Sequence, residues 1–217
     1  MNQQALEYKD KLYKELSRVG KGLSSDKRLA ILDLLSQSPK VSRTNCQETG
    51  ISVANTSRHL QVLKDSRLVK AVQDGNHVIY QLGSQQIQAL VALLISVGEQ
   101  ELSEVSALHA AANRPRDVKT IDLEEAIGTA GQALILDVRP ADEYAAGHID
   151  AAINIPVDEL SENMSRLPKK KTIIVYCRGR LYPCANLATQ LLNQHGFRAR
   201  SLNYSFYDWK RENERER

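Results

Sequence analysis

The chain has 217 residues, of which 42% are hydrophobic and 25% charged, with a formal net charge of +3. That length exceeds what one domain usually needs, and the composition is ordinary for a soluble globular protein, so two domains are expected. No apolar stretch approaches the roughly 18 residues of a membrane span, and residues 1–14 lack a signal-type apolar run. Three cysteines (Cys46, Cys177 and Cys184) are too few and too odd in number for a disulfide framework. The expected compartment is the cytoplasm, where a reactive thiol is the better use of a cysteine, and no membrane partner is expected.

In chain order, Asp26 is placed to cap a helix over 27–36, with Leu29, Ile31, Leu32 and Leu35 as its apolar residues, and Pro39 breaks it. A short helix over 44–48 stops at Gly50. Ser52 can cap the next helix, which continues to about Lys64. Two helices joined by so tight a turn form a helix-turn-helix. On the second helix, Thr56, His59, Leu60 and Leu63 make an inward stripe, while Ala54, Ser57, Arg58 and Gln61 make the opposite one. Arg and Gln suit guanine and adenine edges, and Ser52 and Asn55 stand near the helix start, where a recognition helix touches DNA. Apolar runs over 68–72 and 77–82 flank Gln73-Asp74-Gly75-Asn76, which predicts a β-hairpin and hence a wing. Residues 40–80 hold six cations (Lys40, Arg43, Arg58, Lys64, Arg67 and Lys70) against three anions, a balance suited to phosphate contacts. The DNA-binding candidates are Ser52, Asn55, Ser57, Arg58, Gln61, Lys64, Asn76 and His77.

The run Ile51-Ser52-Val53-Ala54-Asn55-Thr56-Ser57-Arg58-His59-Leu60-Gln61-Val62-Leu63-Lys64-Asp65, followed by Arg67-Leu68-Val69 and the hairpin, resembles the ArsR type of bacterial winged-helix repressor. The resemblance implies a homodimer that reads a two-fold double-stranded operator. The dimer would form through a first helix over about 6–19 and one long helix over about 86–111, whose Leu90, Leu93, Leu94 and Val97 make an apolar stripe. Metal-sensing relatives place paired cysteines in the helix before the recognition helix. Here Cys46 lies away from those positions without a thiol neighbour, and His109 stands alone on the long helix, so neither a metal nor a cofactor is expected.

The segment 112–117 interrupts the helical pattern with Pro115 and charges, and marks a linker. Beyond it, apolar runs over 133–138, 152–155, 172–176 and 199–202 alternate with helical patterns, which predicts a parallel sheet. Pro140 opens a helix over 141–145. Ala185, Ala188, Leu191 and Leu192 mark the buried face of a later helix closed by Gly196. The expected fold class is multidomain: a mainly-α winged helix-turn-helix with a β-hairpin wing over 1–112, a linker over 113–119, an α/β domain with a parallel sheet over 120–210, and a charged tail over 211–217 that frays.

The strand over 172–176 runs straight into Cys177-Arg178-Gly179-Arg180-Leu181-Tyr182-Pro183 and then a helix. Two cations and a helix N-terminus beside a thiol lower its pKa from about 8.5 toward or below neutral. The N–H groups of residues 178–182 can curl around the sulfur as an anion nest, with Gly179 permitting the backbone turn. With Asp137-Val138-Arg139-Pro140, Glu143-Tyr144-Ala145-Ala146-Gly147-His148-Ile149 and Ala152-Ile153-Asn154-Ile155-Pro156, this loop resembles the rhodanese family over about residues 118–210. The resemblance implies sulfur transfer: Cys177 takes a sulfane sulfur from thiosulfate, a persulfide or a polysulfide and passes it on. Arg178 and Arg180 attract the donor, and Asp137 and Arg139 support the loop from the neighbouring strand. The six-residue loop has the length rhodaneses use for sulfur, and related dual-specificity phosphatases use a longer one. Ala151 stands where the family usually has Gly, and 203–208 lacks the glycines that usually precede Trp209. Cys184 either packs, the common fate of a small buried cysteine, or resolves a Cys177 persulfide.

These readings combine into a DNA-binding repressor whose rhodanese domain senses reactive sulfur at Cys177. The alternatives are a working sulfurtransferase that the winged helix only dimerises or localises, and a rhodanese fold serving as an inert ligand module.

Overall fold

The structure, a computed structural model, describes residues 3–112 and 118–215. Most of the expected linker therefore lies outside the described residues, and Val118 and Lys119 carry no regular element. The chain divides into two compact units, 1–98 and 99–217.

The first unit begins with α1 (Gln3–Leu23) and α2 (Asp26–Gln37). The cap of α2 is Ser25, one residue before the expected Asp26: its hydroxyl accepts from the Arg28 N–H at 3.4 Å. An N-cap must be extended, and Ser25 is, at φ −163°. Then come β1 (Lys40–Val41), α3 (Ser42–Thr49) and α4 (Val53–Asp65), with Gly50 left-handed between the two helices at φ 66°. Ser52 is the N-cap of α4 by backbone alone: its carbonyl accepts from Thr56 N–H at 2.8 Å and its hydroxyl caps nothing. The expected hairpin is β2 (Val69–Asp74) and β3 (His77–Leu82), with Gly75 and Asn76 at its tip. β1, too short to read from sequence, adds to β3 in a three-stranded antiparallel sheet ordered β1-β3-β2. The core joins Ile31, Leu32 and Leu35 of α2 to Leu60 and Leu63 of α4 and to Leu68 and Val69 at the start of the wing.

The expected single helix after the wing is two, α5 (Gln85–Glu101) and α6 (Ser103–Ala112), broken at Leu102. Both halves keep apolar patterning, so periodicity alone did not mark the break. The second unit takes the last three residues of α5 together with α6.

It continues with β4 (Thr120–Ile121), α7 (Leu123–Thr129), β5 (Leu134–Asp137), α8 (Ala141–Ala146), β6 (Ile153–Asn154), α9 (Leu160–Asn163), a 3-10 turn, β7 (Thr172–Tyr176), α10 (Cys184–Gln194), β8 (Arg198–Leu202) and α11 (Phe206–Arg215). The five strands form a wholly parallel sheet ordered β4-β8-β7-β5-β6. One core cluster joins Leu136, Val175, Ala185, Ala188 and Leu192, and another joins Ile135, Ile149, Ile174, Tyr176 and Trp209. Residues 211–215, expected to fray, are helical. Ser205 and Asp208 start α11 with a reciprocal cap: Asp208 N–H donates to Ser205 Oγ at 3.2 Å and Ser205 N–H to Asp208 Oδ2 at 3.0 Å.

Ala151, flagged in the sequence as replacing a Gly, sits at φ 61°. A side chain in the left-handed region costs about 1–2 kcal/mol, partly offset by the smaller unfolded-state entropy of Ala. Ala151→Gly is therefore expected to stabilise the second unit by up to about 1 kcal/mol. Trp209, the one tryptophan of the chain and a member of the same buried cluster as Ala152, reports its unfolding midpoint by fluorescence.

Candidate functional site

Helix α4 presents the two expected faces. Thr56, Leu60 and Leu63 are buried and His59 is half-buried, while Ser52, Asn55, Ser57, Arg58, Gln61 and Lys64 are exposed. Thr56 is satisfied locally, donating from Oγ1 to Ile51 O at 3.3 Å. Gln61 Nε2 donates to Asp65 Oδ1 one turn on, at 2.8 Å. At the wing tip, Asn76 and His77 are exposed. Two further residues, with no motif to mark them in the sequence, bear on this interface. Val53, 66% exposed at the first turn of α4, is an apolar group on the face that can meet a thymine methyl. Arg18 of α1 lines a cleft with Lys64, Arg67 and Lys70, and its Nη2 donates to Asp65 O at 3.0 Å. Lys40, counted among the phosphate-facing cations, is buried instead: its Nζ lies 3.1 Å from Glu48 Oε1. A lysine at 3% exposure needs a carboxylate partner, so this cation is internal scaffolding.

In the second unit Cys177 follows β7, the middle strand of the sheet, and is 4% exposed. The loop turns at Gly179, φ 100°, as expected, and α10 starts at Cys184, with Pro183 as its N-cap. The nest is narrower than expected. Arg178 N–H bonds to the Cys177 sulfur, but Tyr182 N–H turns back to Gly179 O at 3.2 Å, because residues 179–182 close a tight turn of their own. Arg180 and Leu181 are exposed at the rim, and Arg180 Nε lies 3.0 Å from Glu99 Oε1 of the same unit. Arg178 does not stand open to an anion. Its guanidinium binds both oxygens of Glu143, through Nε at 3.0 Å and through Nη2, and lies 5.1 Å from the Tyr182 ring centroid.

Beneath the loop is a fully buried polar hub. The Asp137 carboxylate accepts from Arg139 N–H at 2.9 Å, from Nη2 at 2.6 Å and from the Tyr176 hydroxyl at 2.5 Å. Arg139 Nη2 also donates to Gly147 O at 2.8 Å. Asn154 Nδ2 ties the Asp137 and Arg139 carbonyls together at 3.0 and 2.9 Å. Asp137 and Tyr176 are register partners on β5 and β7, so the hub clamps the strand that delivers Cys177. Burial and the Asp137 carboxylate push the Tyr176 hydroxyl well above its ordinary range, so it stays a donor. Glu143 and Tyr176 were not singled out in the sequence. Tyr176 left one signal, a hydroxyl in an otherwise aliphatic strand, which must find a partner once buried. Glu143 left none.

Contrary to the expected lowering, the Cys177 thiol is shifted upward. Cys177 and Cys184 are in hydrogen-bond contact, with Cys177 donating. That bond, burial and the adjacent Cys184 charge raise Cys177 above an ordinary thiol, outweighing the Arg178 N–H and guanidinium. Cys184 is lowered to about 6: the bond from Cys177 comes first, opposed by burial and aided by Arg178 and its own helix-start N–H. Burial removes water from Cys177 while Cys184 keeps the open side and the end of the α10 dipole. The bond and burial therefore work against a charge on Cys177 and favour it on the more open Cys184.

A winged-helix unit with a polar recognition face, joined to a parallel α/β unit with a cysteine loop at the end of its middle strand, defines a two-part regulator. Residues 25–71 match the bacterial regulatory protein, arsR family, and residues 120–212 match the rhodanese-like domain. The HTH-type transcriptional regulator Rv0324 of Mycobacterium tuberculosis is 33% identical over 200 residues, 92% of this chain and 88% of that protein. The chain belongs to the ArsR family of transcriptional regulators, in the form that carries a C-terminal rhodanese-like domain. Among solved structures it is similar to the homodimeric winged helix-turn-helix DNA-binding domain of a possible ArsR-family regulator from Mycobacterium bovis (34% identity, 43% of this chain, 87% of that chain, TM-score 0.42). It is also similar to a rhodanese-related protein from Thermoplasma volcanium (28% identity, 43% of this chain, 92% of that chain, TM-score 0.40). Among the described residues no helix is long and apolar enough to cross a membrane.

The face of α4 allows a direct test of base reading. Arg58→Ala is expected to weaken operator binding by about 1–3 kcal/mol and to relax preference at one base position. Binding to a panel of single-base operator variants checks this, and a uniform loss across the panel would make Arg58 a phosphate contact.

Proposed function

We propose that this ArsR-type regulator senses reactive sulfur species. Cys177 takes a sulfane sulfur from a persulfide, polysulfide or thiosulfate, and its occupancy changes affinity for a double-stranded operator in the cytoplasm. The reading rests on one observation, that a single chain carries both an exposed recognition face and a cysteine loop braced by a buried polar hub. Operator bases meet Ser52, Asn55, Ser57, Arg58 and Gln61, while Lys64, Arg18, Arg67, Lys70 and the wing residues Asn76 and His77 meet the backbone. The working form is a homodimer. Leu6, Leu12 and Leu16 of α1 and Leu93, Leu94 and Val97 of α5 are exposed, with Leu93 at 60%, and an isologous interface buries such stripes. Sulfur occupancy acts as a switch by favouring one of two dimer arrangements.

Operator binding by the parent and by Cys177→Ser, with and without polysulfide, tests this. A polysulfide response is expected in the parent and none in the variant, and an equal response in both would remove Cys177 as the sensor. A second reading, a turning-over sulfurtransferase, is favoured by the rhodanese-like match over residues 120–212, which contains the Cys177 loop. Sustained release of thiocyanate from thiosulfate and cyanide, lost in Cys177→Ser, would establish it.

A further inference from the structure

We propose that Cys184 is a resolving thiol that converts a persulfide on Cys177 into an intramolecular Cys177–Cys184 disulfide with release of hydrosulfide. This rests on the reading above, that sulfur first reaches Cys177.

Three features of the site support the step. The two thiols are already in hydrogen-bond contact, so attack needs little rearrangement. Cys184 also packs against the core cluster that contains Cys177, so the pair is held in the fold rather than meeting by loop motion. Cys184 is the first residue of an eleven-residue helix and is half-buried where Cys177 is buried, so of the two it is the one placed to carry and use negative charge. The lowering of its pKa to about 6 agrees with that placement. Packing explains why a small residue stands at 184, but not why a second sulfur faces the first.

The chemistry balances. A low-molecular-weight persulfide hands its sulfane sulfur to Cys177 and leaves as a thiolate. The Cys184 thiolate then attacks the inner sulfur of the Cys177 persulfide. The Cys177–Cys184 bond forms, the bond to the outer sulfur breaks, and that sulfur departs as hydrosulfide with the persulfide's proton. Two cysteine sulfurs are oxidised and the sulfane sulfur is reduced, so no further oxidant enters. The product ends the signal as a disulfide, which a cellular dithiol resets.

Mass spectrometry on the full chain decides this. The parent, Cys184→Ser, Cys184→Ala and Cys177→Ser are exposed briefly to glutathione persulfide, alkylated and digested with trypsin. Cleavage after Lys171, Arg178, Arg180 and Arg198 puts the two cysteines on different peptides, 172–178 and 181–198. In the parent these peptides are expected as one disulfide-linked species, with about one equivalent of sulfide released per chain. Both Cys184 variants should instead carry one added sulfur on 172–178 and release none. A parent that keeps the added sulfur on 172–178 unlinked, like the variants, would overturn the role of Cys184 and leave sulfur sensing standing. Absence of added sulfur on 172–178 in every protein would overturn the sensing proposal itself, and this one with it.

Discussion

Asp137→Ala is expected to destabilise the second unit by about 3–5 kcal/mol, the usual cost of removing one partner of a buried ion pair. Asp137 and Arg139 are both fully buried, and the carboxylate holds the Arg139 amide, its guanidinium and the Tyr176 hydroxyl together. Removing it strands a guanidinium and a phenol in a space that water does not reach. The double variant Asp137→Leu/Arg139→Met should recover part of the loss, because it removes both charges rather than leaving one. Urea unfolding followed by Trp209 fluorescence measures both. A single variant no worse than the double would mean that the pair is not the hub of this unit.

Leu60→Ala is expected to cost the first unit about 2–5 kcal/mol, through lost burial plus the cavity left behind. Leu60 is fully buried, in one core cluster with Ile31 and Leu32 of α2 and Leu63 of its own helix. It lies on the face of α4 opposite Arg58, so operator affinity should fall only by the fraction unfolded. Far-UV circular dichroism should show the helical transition moving to lower urea while the Trp209 transition stays in place. Movement of both would show that the two units unfold as one.

Much of this was legible in the sequence because the two periodicities are clean. The 3.6-residue stripe on α4 separates Leu60 and Leu63 from Arg58 and Gln61, and the apolar run before Cys177 stops abruptly at a glycine-bearing loop. The wing was legible from Gly75 and Asn76 between alternating runs. What stayed hidden depends on contacts between residues distant in sequence. The two-residue strands β1 and β4 exist only because β3 and β8 offer them an edge. Glu143 takes its role from Arg178, 35 residues away. The charges on Arg178 and Arg180 suggested an ionised Cys177, but one guanidinium is committed to Glu143 and the other is paired with Glu99, while the bond to Cys184 and burial raise the Cys177 thiol. Charge near a thiol predicts its ionisation only once the partners of that charge are known.

The position of β7 between β8 and β5 has one more consequence. Its amides are paired on both edges and its side chains are buried from Ile173 to Tyr176, so deuterium should enter them only when the whole unit opens. Residues 178–183 have no such ladder. A sulfur atom gained or lost at Cys177 should therefore change isotope uptake in that short segment first and leave the strand beneath it silent.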